Sequence, residues 1–166
     1  KKYFIFLGCI IAAALGLRLF QIGDPSYWLD EIVSVHFAKH PDPKSIFWDN
    51  NPFLYHLLLK GWVHAFGDSE FATRFLSTLF SLGSTSLLFA LLYSWIGLPG
   101  AVAVGLLHAT SIFSIEYAQE TRMYAMFEFF VSLLLYYLLK QKQKDEHIKG
   151  VLLSALWMSL SSYLAV

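Results

Sequence analysis

Residues 71–95 read FATRFLSTLFSLGSTSLLFALLYSW. Arg74 is the one charged residue in the stretch, and it stands near the entry. An apolar run of this length crosses a bilayer as an α-helix, because roughly 20 residues at about 1.5 Å each cover the hydrocarbon core. The stretch therefore places the chain among all-α membrane proteins.

The same pattern repeats on either side. Upstream, Tyr3–Phe20 is apolar apart from Arg18. Downstream, Gly97-Leu98-Pro99-Gly100 reads as a tight turn, and Ala101–Ile115 continues into a further apolar run. Met123–Leu139 is another, and Val151–Val166 begins a fifth. The expected architecture is a polytopic transmembrane helix bundle with spans near 3–20, 71–95, 101–115, 123–139 and 151–166. Ala101, Ala103, Gly105 and Ala109 supply the small residues that close helix packing needs. The lysines before Tyr3 also fit a signal peptide. No small-residue cleavage site follows, however, and Arg18 is expected to snorkel to an interface, so a retained helix is the better reading. The chain opens on Lys1 and closes inside an apolar segment, which reads as the N-terminal part of a larger protein.

Composition agrees. Of the 166 residues, 57% are hydrophobic and 14% charged, too few charges for a soluble domain of this length. The formal net charge is zero, so no basic footprint for nucleic acid exists. The single cysteine, Cys9, has no partner for an intrachain disulfide.

The longest polar region, 23–70, is expected to form an external loop with amphipathic interfacial helices. Leu29, Ile32, Val33, Phe37 and His40 follow helical spacing, which predicts a helix over Leu29–His40 that Pro41 and Pro43 stop. Asn51-Pro52 opens a second, Phe53–Phe66, with Leu54, Leu58, Trp62 and Ala65 as its apolar stripe. It is too short to span, and its aromatics suit the headgroup region.

Counting spans puts Lys1, Lys2, Lys140, Lys142, Lys144 and Lys149 on one side, which the positive-inside bias makes cytoplasmic. The loop 23–70 and the link 116–122 then share the opposite face.

Chemistry gathers in those two external segments. In Ser26-Tyr27-Trp28-Leu29-Asp30-Glu31, adjacent carboxylates open a helix. Capping and dipole effects account for acids there, and a base or metal ligand at the membrane surface is the functional reading. In Glu116-Tyr117-Ala118-Gln119-Glu120-Thr121-Arg122-Met123-Tyr124, an interfacial ion pair is the bland reading. The functional one has Arg122 grip an anion while Glu120 orients it or binds a cation. If the fourth helix starts by Glu120, then Glu120, Tyr124 and Glu128 share a face. Glu128 lies inside a predicted span, where a carboxylate needs a wet cavity, an ion partner or a neighbouring helix. His36 and His40 are one turn apart, a metal pair without a further nearby ligand. His108, mid-span, reads as packed against a neighbouring helix, and His64 and His147 as surface.

Three motifs line up with one family. They are Arg18-Leu19 followed by Tyr27-Trp28-Leu29-Asp30-Glu31; Asn51-Pro52-Phe53-Leu54-Tyr55 with Phe66-Gly67-Asp68-Ser69-Glu70-Phe71-Ala72-Thr73-Arg74; and Tyr117 through Tyr124. In order and spacing the chain resembles the N-terminal part of GT-C type glycosyltransferases that use polyprenyl-phosphate sugars. These include dolichyl-phosphate-mannose–protein mannosyltransferases and lipid A aminoarabinose transferases. The resemblance implies that Asp30 is the acidic residue taking the acceptor proton, with Glu31, its usual neighbour, as the second catalytic candidate. It implies that Arg122 and Glu120 lie near the lipid phosphate or a metal. Tyr124, Asn51 and Tyr55 join them as substrate-binding candidates. Relatives often carry His-Pro-Pro where this chain has Asn51-Pro52-Phe53, and Asn51 cannot titrate as that histidine would.

The expected function is a membrane glycosyltransferase that moves a sugar from a polyprenyl-phosphate donor to a hydroxyl acceptor (protein, lipid or glycan), with inversion, on the extracytoplasmic face of a plasma or bacterial inner membrane. No cofactor is required by this pattern, and a divalent cation is compatible with it. The rival readings are a transporter or channel, whose path would be led by His108 and Glu128, and an inert membrane anchor.

Overall fold

The computed structural model describes residues 1–42, 44, 52–141 and 154. Asn51, the lysines beyond 141, His147 and the expected fifth span lie outside the described residues, Ser154 apart. Among the described residues the elements are α1 (Lys2–Leu19), α2 (Leu29–Lys39), α3 (Phe53–Phe66), α4 (Glu70–Ala109), α5 (Ile112–Ala118) and α6 (Tyr124–Gln141), and there is no strand. Two helices, α1 and α4, are long and apolar enough to cross a membrane.

Helix α4 is folded back on itself. Its one non-helical residue is Gly97, at φ 74° and ψ −168°. That left-handed φ is strained for any residue with a Cβ, so the reversal expected from Gly97-Leu98-Pro99-Gly100 is concentrated in its first glycine. The two arms then pack side by side. Thr85 Oγ1 lies 2.9 Å from His108 Nδ1. A Cβ added at Gly105 would come within 3.1 Å of both Ile10 and Phe89. Ala101, Gly105 and Ala109 repeat every four residues and are buried, which lets α1 and the first arm approach closely. Ala103, off that stripe, is exposed.

The run expected as one span over 101–115 is interrupted. Thr110 ends α4 with φ −99° and ψ 1°. Ser111 then caps α5, its side chain accepting from Ser114 N. Hydroxyl side chains compete for the backbone in this way, and a Thr-Ser pair is a natural place for a helix to restart.

Burial corrects two apolar stripes. Helix α3 buries Leu54, Tyr55, His56 and Leu59, whereas Leu58 and Ala65 are exposed. On α2 the buried residues are Glu31, Ser34, Val35 and Ala38, and Leu29 is 72% exposed. Of the expected apolar face of α2, Leu29 and Ile32 are exposed and Val33, Phe37 and His40 half-buried, because the helix is turned to bring Glu31 to Arg74 and Ser34 to Arg122. Ion pairing and hydrogen bonding thus choose which face turns in.

Arg18 also departs from expectation. It does not snorkel; it is fully buried. Its Nε donates to Ser81 Oγ at 2.9 Å, and its terminal nitrogens donate to the carbonyls of Ala14, Ala109 and His108. With Ile10 and Ala14 it forms the inward face of α1, at four-residue spacing. The carbonyl of Ala109 belongs to the last turn of α4, where no amide of the helix remains to pair with it.

The helices give the molecule two ends. At one, Tyr3 lies 4.7 Å from Tyr93, ring to ring, and feels Tyr136 and Lys140. At the other, α2 and α3 cover the entry to α4 and the loop between α5 and α6. Trp62 Nε1 donates to Ala72 O at 2.7 Å and pins α3 there. Ala38, Leu54, Tyr55, Leu59, Leu76, Met123 and Met126 form the core beneath.

Candidate functional site

Glu31 is the hub of this second end. It is fully buried on the first turn of α2. Arg74 grips it with both arms of its fork, Nε to Oε1 at 2.9 Å and Nη2 to Oε2 at 2.8 Å. Thr121 N donates to Oε1 at 2.7 Å, and Trp28 N to Oε2 at 3.3 Å. Burial pushes the Glu31 carboxyl up, but the Arg74 bonds and the Thr121 and Trp28 amides outweigh it and leave it below the ordinary glutamate value.

Arg74 has no donor to spare. Its remaining hydrogens go to the carbonyls of Ile22, Pro25 and Ser26. This shapes the segment between α1 and α2 around one guanidinium, as the fixed fork of arginine allows and lysine does not. Tyr27 adds a second tie. Its hydroxyl lies 2.8 Å from Asp68 O and from Thr73 Oγ1, and Thr73 Oγ1 lies 2.8 Å from Thr121 Oγ1. The sequence motifs around Tyr27, Thr73 and Thr121 therefore meet through one hydrogen-bonded network.

Asp30 and Arg122 come together on the outer side of that network. Asp30 Oδ2 lies 3.5 Å from Arg122 Nη2, and Arg122 Nη1 donates to Asp30 O at 3.4 Å and to Ser34 Oγ at 3.3 Å. The Asp30 side chain is 43% exposed, whereas the Arg122 side chain is 9% exposed. Arg122 Nε is buried and unpartnered among the described residues. Tyr124 lies below it, the guanidinium 5.9 Å from the ring centre.

Glu120 and Tyr55 are placed differently. Glu120 does not pair with Arg122. Its Oε2 is buried and unpartnered among the described residues, and it lines a cavity of about 360 Å³ with Trp28, Glu31, Arg74, Glu116 and Gln119. Burial raises its pKa, and the Glu31 and Glu116 carboxylates add to that. Tyr55 is 1% exposed beneath the site, with burial pushing its hydroxyl far up. Asn51 lies outside the described residues. Helix α6 begins at Tyr124, so Glu120 precedes it and does not share a helical face with Glu128.

Glu128 finds hydrogen-bond partners on neighbouring helices instead. Its Oε1 lies 2.9 Å from His108 Nε2 and accepts from Ser114 Oγ at 3.1 Å. Thr85 fixes the other nitrogen of that imidazole. The rings of His36 and His40 are 6.3 Å apart, and among the described residues no three His, Cys, Asp or Glu side chains gather to hold a metal.

A family model described as dolichyl-phosphate-mannose-protein mannosyltransferase matches residues 50–164, more than half of the chain. The chain belongs to that family. The mannosyltransferase match takes in Arg74, Glu120, Thr121 and Arg122, and Asp30 and Glu31 precede it. The family is one of membrane glycosyltransferases of the GT-C type, and α1 and α4 agree with a membrane protein. No curated protein and no solved structure matches the chain.

Arg74, Ser34 and Thr121 carry this site without having been assigned a part in it from the sequence. Arg74 stood at the end of a quoted motif, and its signal was a lone cation at the entry of an apolar span. Such a charge demands a partner, and Glu31, expected as a catalytic carboxylate, is instead bound to Arg74 through both oxygens.

Proposed function

We propose that this chain carries the active site of a membrane glycosyltransferase that moves a sugar from a polyprenyl-phosphate donor to a hydroxyl acceptor at the extracytoplasmic face. The observation that carries this reading is the meeting of Asp30 and Arg122, 92 residues apart in sequence, over a buried scaffold. Asp30 is the base. Half-exposed on the first turn of α2, it is open to an incoming hydroxyl. Arg122 holds the donor phosphate, with the Tyr124 ring beside its guanidinium. Glu31 is the positioning residue, because each of its oxygens already accepts two hydrogen bonds.

The reaction follows from that layout. Asp30 takes the proton of the acceptor hydroxyl as its oxygen attacks the anomeric carbon. The bond from that carbon to the phosphate oxygen breaks, and the phosphate leaves with the electron pair. Arg122 stabilises the growing charge, and attack opposite the leaving group inverts the centre. A divalent cation is not needed for any of these steps.

The membrane setting supports the same reading. Helices α1 and α4 are long and apolar enough to cross a membrane, and in this reading the bundle is polytopic with its N-terminus cytoplasmic. The outward apolar face of α2, Leu29 and Ile32, lies in the headgroup region, where a lipid-linked sugar presents its reactive carbon. The transporter reading draws no support from the interior, because Arg18, His108 and Glu128 are spent on Ser81, Thr85, Ser114 and one another.

The test is Asp30→Asn in the full-length protein, in vesicles loaded with a polyprenyl-phosphate sugar. Loss of a general base predicts transfer slower by about a hundred- to ten-thousand-fold with thermal stability unchanged. Transfer within about threefold of the parent would remove Asp30 from the reaction.

A further inference from the structure

Two arginines meet α2 at this end, and they are held in opposite ways. Arg74 spends its Nε–Nη2 edge on Glu31, at 2.9 and 2.8 Å, the side-on geometry in which a guanidinium grips a carboxylate or a phosphate. Its other hydrogens go to three carbonyls at 2.8, 2.8 and 3.4 Å. Arg122 has the same edge and leaves it unfilled. Its Nε is buried with no hydrogen-bond partner among the described residues. Its Nη2 meets one carboxylate oxygen, Asp30 Oδ2, at 3.5 Å. The tied nitrogen is Nη1, which donates to Asp30 O at 3.4 Å and to Ser34 Oγ at 3.3 Å.

The two ion pairs differ in what they give the fold. Glu31 and Arg74 are buried on both sides and joined by two short bonds. Asp30 and Arg122 make one long contact, and the Asp30 side chain is 43% exposed, so their pairing adds little to stability. It is also easily undone. Rotation about the Asp30 Cα–Cβ bond carries the carboxylate off Nη2 without moving the helix. Arg122 stays in place meanwhile, because Nη1 is bound to Ser34 Oγ and to the backbone oxygen of Asp30 rather than to its carboxylate. Ser34 Oγ itself donates to that same backbone oxygen at 3.0 Å, which fixes the anchor. An anion with two oxygens can then span Nε and Nη2, as Glu31 does on Arg74.

We propose that the Asp30–Arg122 pair is a latch that holds the base and the phosphate grip on each other until the donor phosphate takes Arg122 and sets Asp30 free. This rests on the transferase reading and adds an order to it. The donor binds first, and only then does the Asp30 carboxylate face an incoming hydroxyl unpaired. Linkage makes the effect reciprocal: if the phosphate expels Asp30 from Arg122, then Asp30 weakens the binding of the phosphate. The variant that has lost its base should therefore hold the donor lipid more tightly, which a base acting independently of Arg122 would not cause.

Binding without turnover tests the latch apart from the reaction. The full-length protein in phosphatidylcholine nanodiscs is titrated with farnesyl phosphate, a short polyprenyl phosphate, and with farnesol as the uncharged control. Asp30→Asn and Asp30→Ala should each bind farnesyl phosphate about three- to tenfold more tightly than the parent, with farnesol unaffected. The alanine variant covers the chance that an asparagine oxygen still reaches Nη2. Glu116→Gln removes an exposed carboxylate at the same end that forms no ion pair with Arg122, and it should shift binding by less than about twofold. The gain should vanish when Arg122→Gln is added, since the latch needs both halves. Binding by both Asp30 variants that is equal to or weaker than the parent's overturns the proposal. So does a gain that Glu116→Gln matches, which is a general field effect, or one that survives Arg122→Gln. The two readings fail differently. If Arg122→Gln alone keeps the preference for farnesyl phosphate over farnesol, Arg122 does not hold the phosphate and both fall. If that preference is lost while the Asp30 variants bind no more tightly, the latch falls and the phosphate site stands.

Discussion

Replacing Arg74 by methionine should cost more than any other single change in the described structure. The guanidinium is 4% exposed and Glu31, its partner, 1%. Arg74→Met leaves that carboxylate buried with only the Thr121 and Trp28 amides for compensation. It also strips partners from the carbonyls of Ile22, Pro25 and Ser26. Breaking one side of a buried ion pair costs about 3–5 kcal/mol. In a chain of this size, about 2–4 °C of melting temperature accompanies each kcal/mol. The expected shift is therefore roughly 6–20 °C downward. Unfolding of the full-length protein in nanodiscs, followed by tryptophan fluorescence, reads it directly. The double variant Glu31→Leu with Arg74→Met removes both charges together, and it should recover at least half of the loss. Two results would refute the reasoning. One is a single variant that melts within about 2 °C of the parent. The other is a double variant as unstable as the sum of its parts, which would mean the two side chains act separately.

Other outcomes follow from the same geometry. Arg122→Gln should slow transfer about a hundred- to a thousandfold, as loss of a donor to the leaving charge does, while the melting temperature stays close to the parent. Arg18→Met should destabilise by about 1–3 kcal/mol in the same melts, because the carbonyl of Ala109 is left buried without a donor. The pH dependence should have two components of opposite sign. The folded-state pKa of Glu31 is depressed, so its contribution is present above the unfolded glutamate value and is lost as pH falls through the folded value. The folded-state pKa of Glu120 is raised, so stability declines as pH rises from the unfolded towards the folded value, and Glu120→Gln should flatten that decline. Melts of parent and variant across the acid range check both.

Much of the architecture was legible because it follows from hydropathy and punctuation. The run 71–95 announced its helix by length, Phe53–Phe66 by its proline entry and glycine exit, and the hairpin by the glycines and proline at 97–100. Counting spans against lysines predicts that 26–31 and 116–122 share a face, and the two segments do meet at one end of the helices. Periodicity misplaced the inward face of α2, where Leu29 and Ile32 are exposed and Glu31 and Ser34 are buried beside Val35 and Ala38. A stripe reports which residues avoid water. It cannot report that two arginines from distant segments make the polar side the drier one. Arg18 failed for the same reason: a cation near a helix end was read by its distance from the interface, and Ser81 and the last carbonyls of α4 lay too far along the chain to enter the reading. At the site, Asp30 and Arg122 were named from motif and chemistry. The difference in surroundings between Asp30 and Glu31 is not legible in the sequence, because adjacent carboxylates on one helical turn look alike until one of them is seen to be buried and fully bonded.

Gly97 turns the chain round within a single residue, and such a reversal has no slack. The positions that face each other across it, Thr85 with His108 and Phe89 with Gly105, are locked to one another by counting outward from that point. Inserting one residue into either arm would rotate everything beyond it by about 100°. His108 would swing away from Thr85, and the small-residue stripe that admits Ile10 would turn elsewhere. A loop of several residues could absorb such an error, whereas this hinge passes it on undiminished, so the lengths of the two arms are as strictly prescribed as any buried side chain around Glu31.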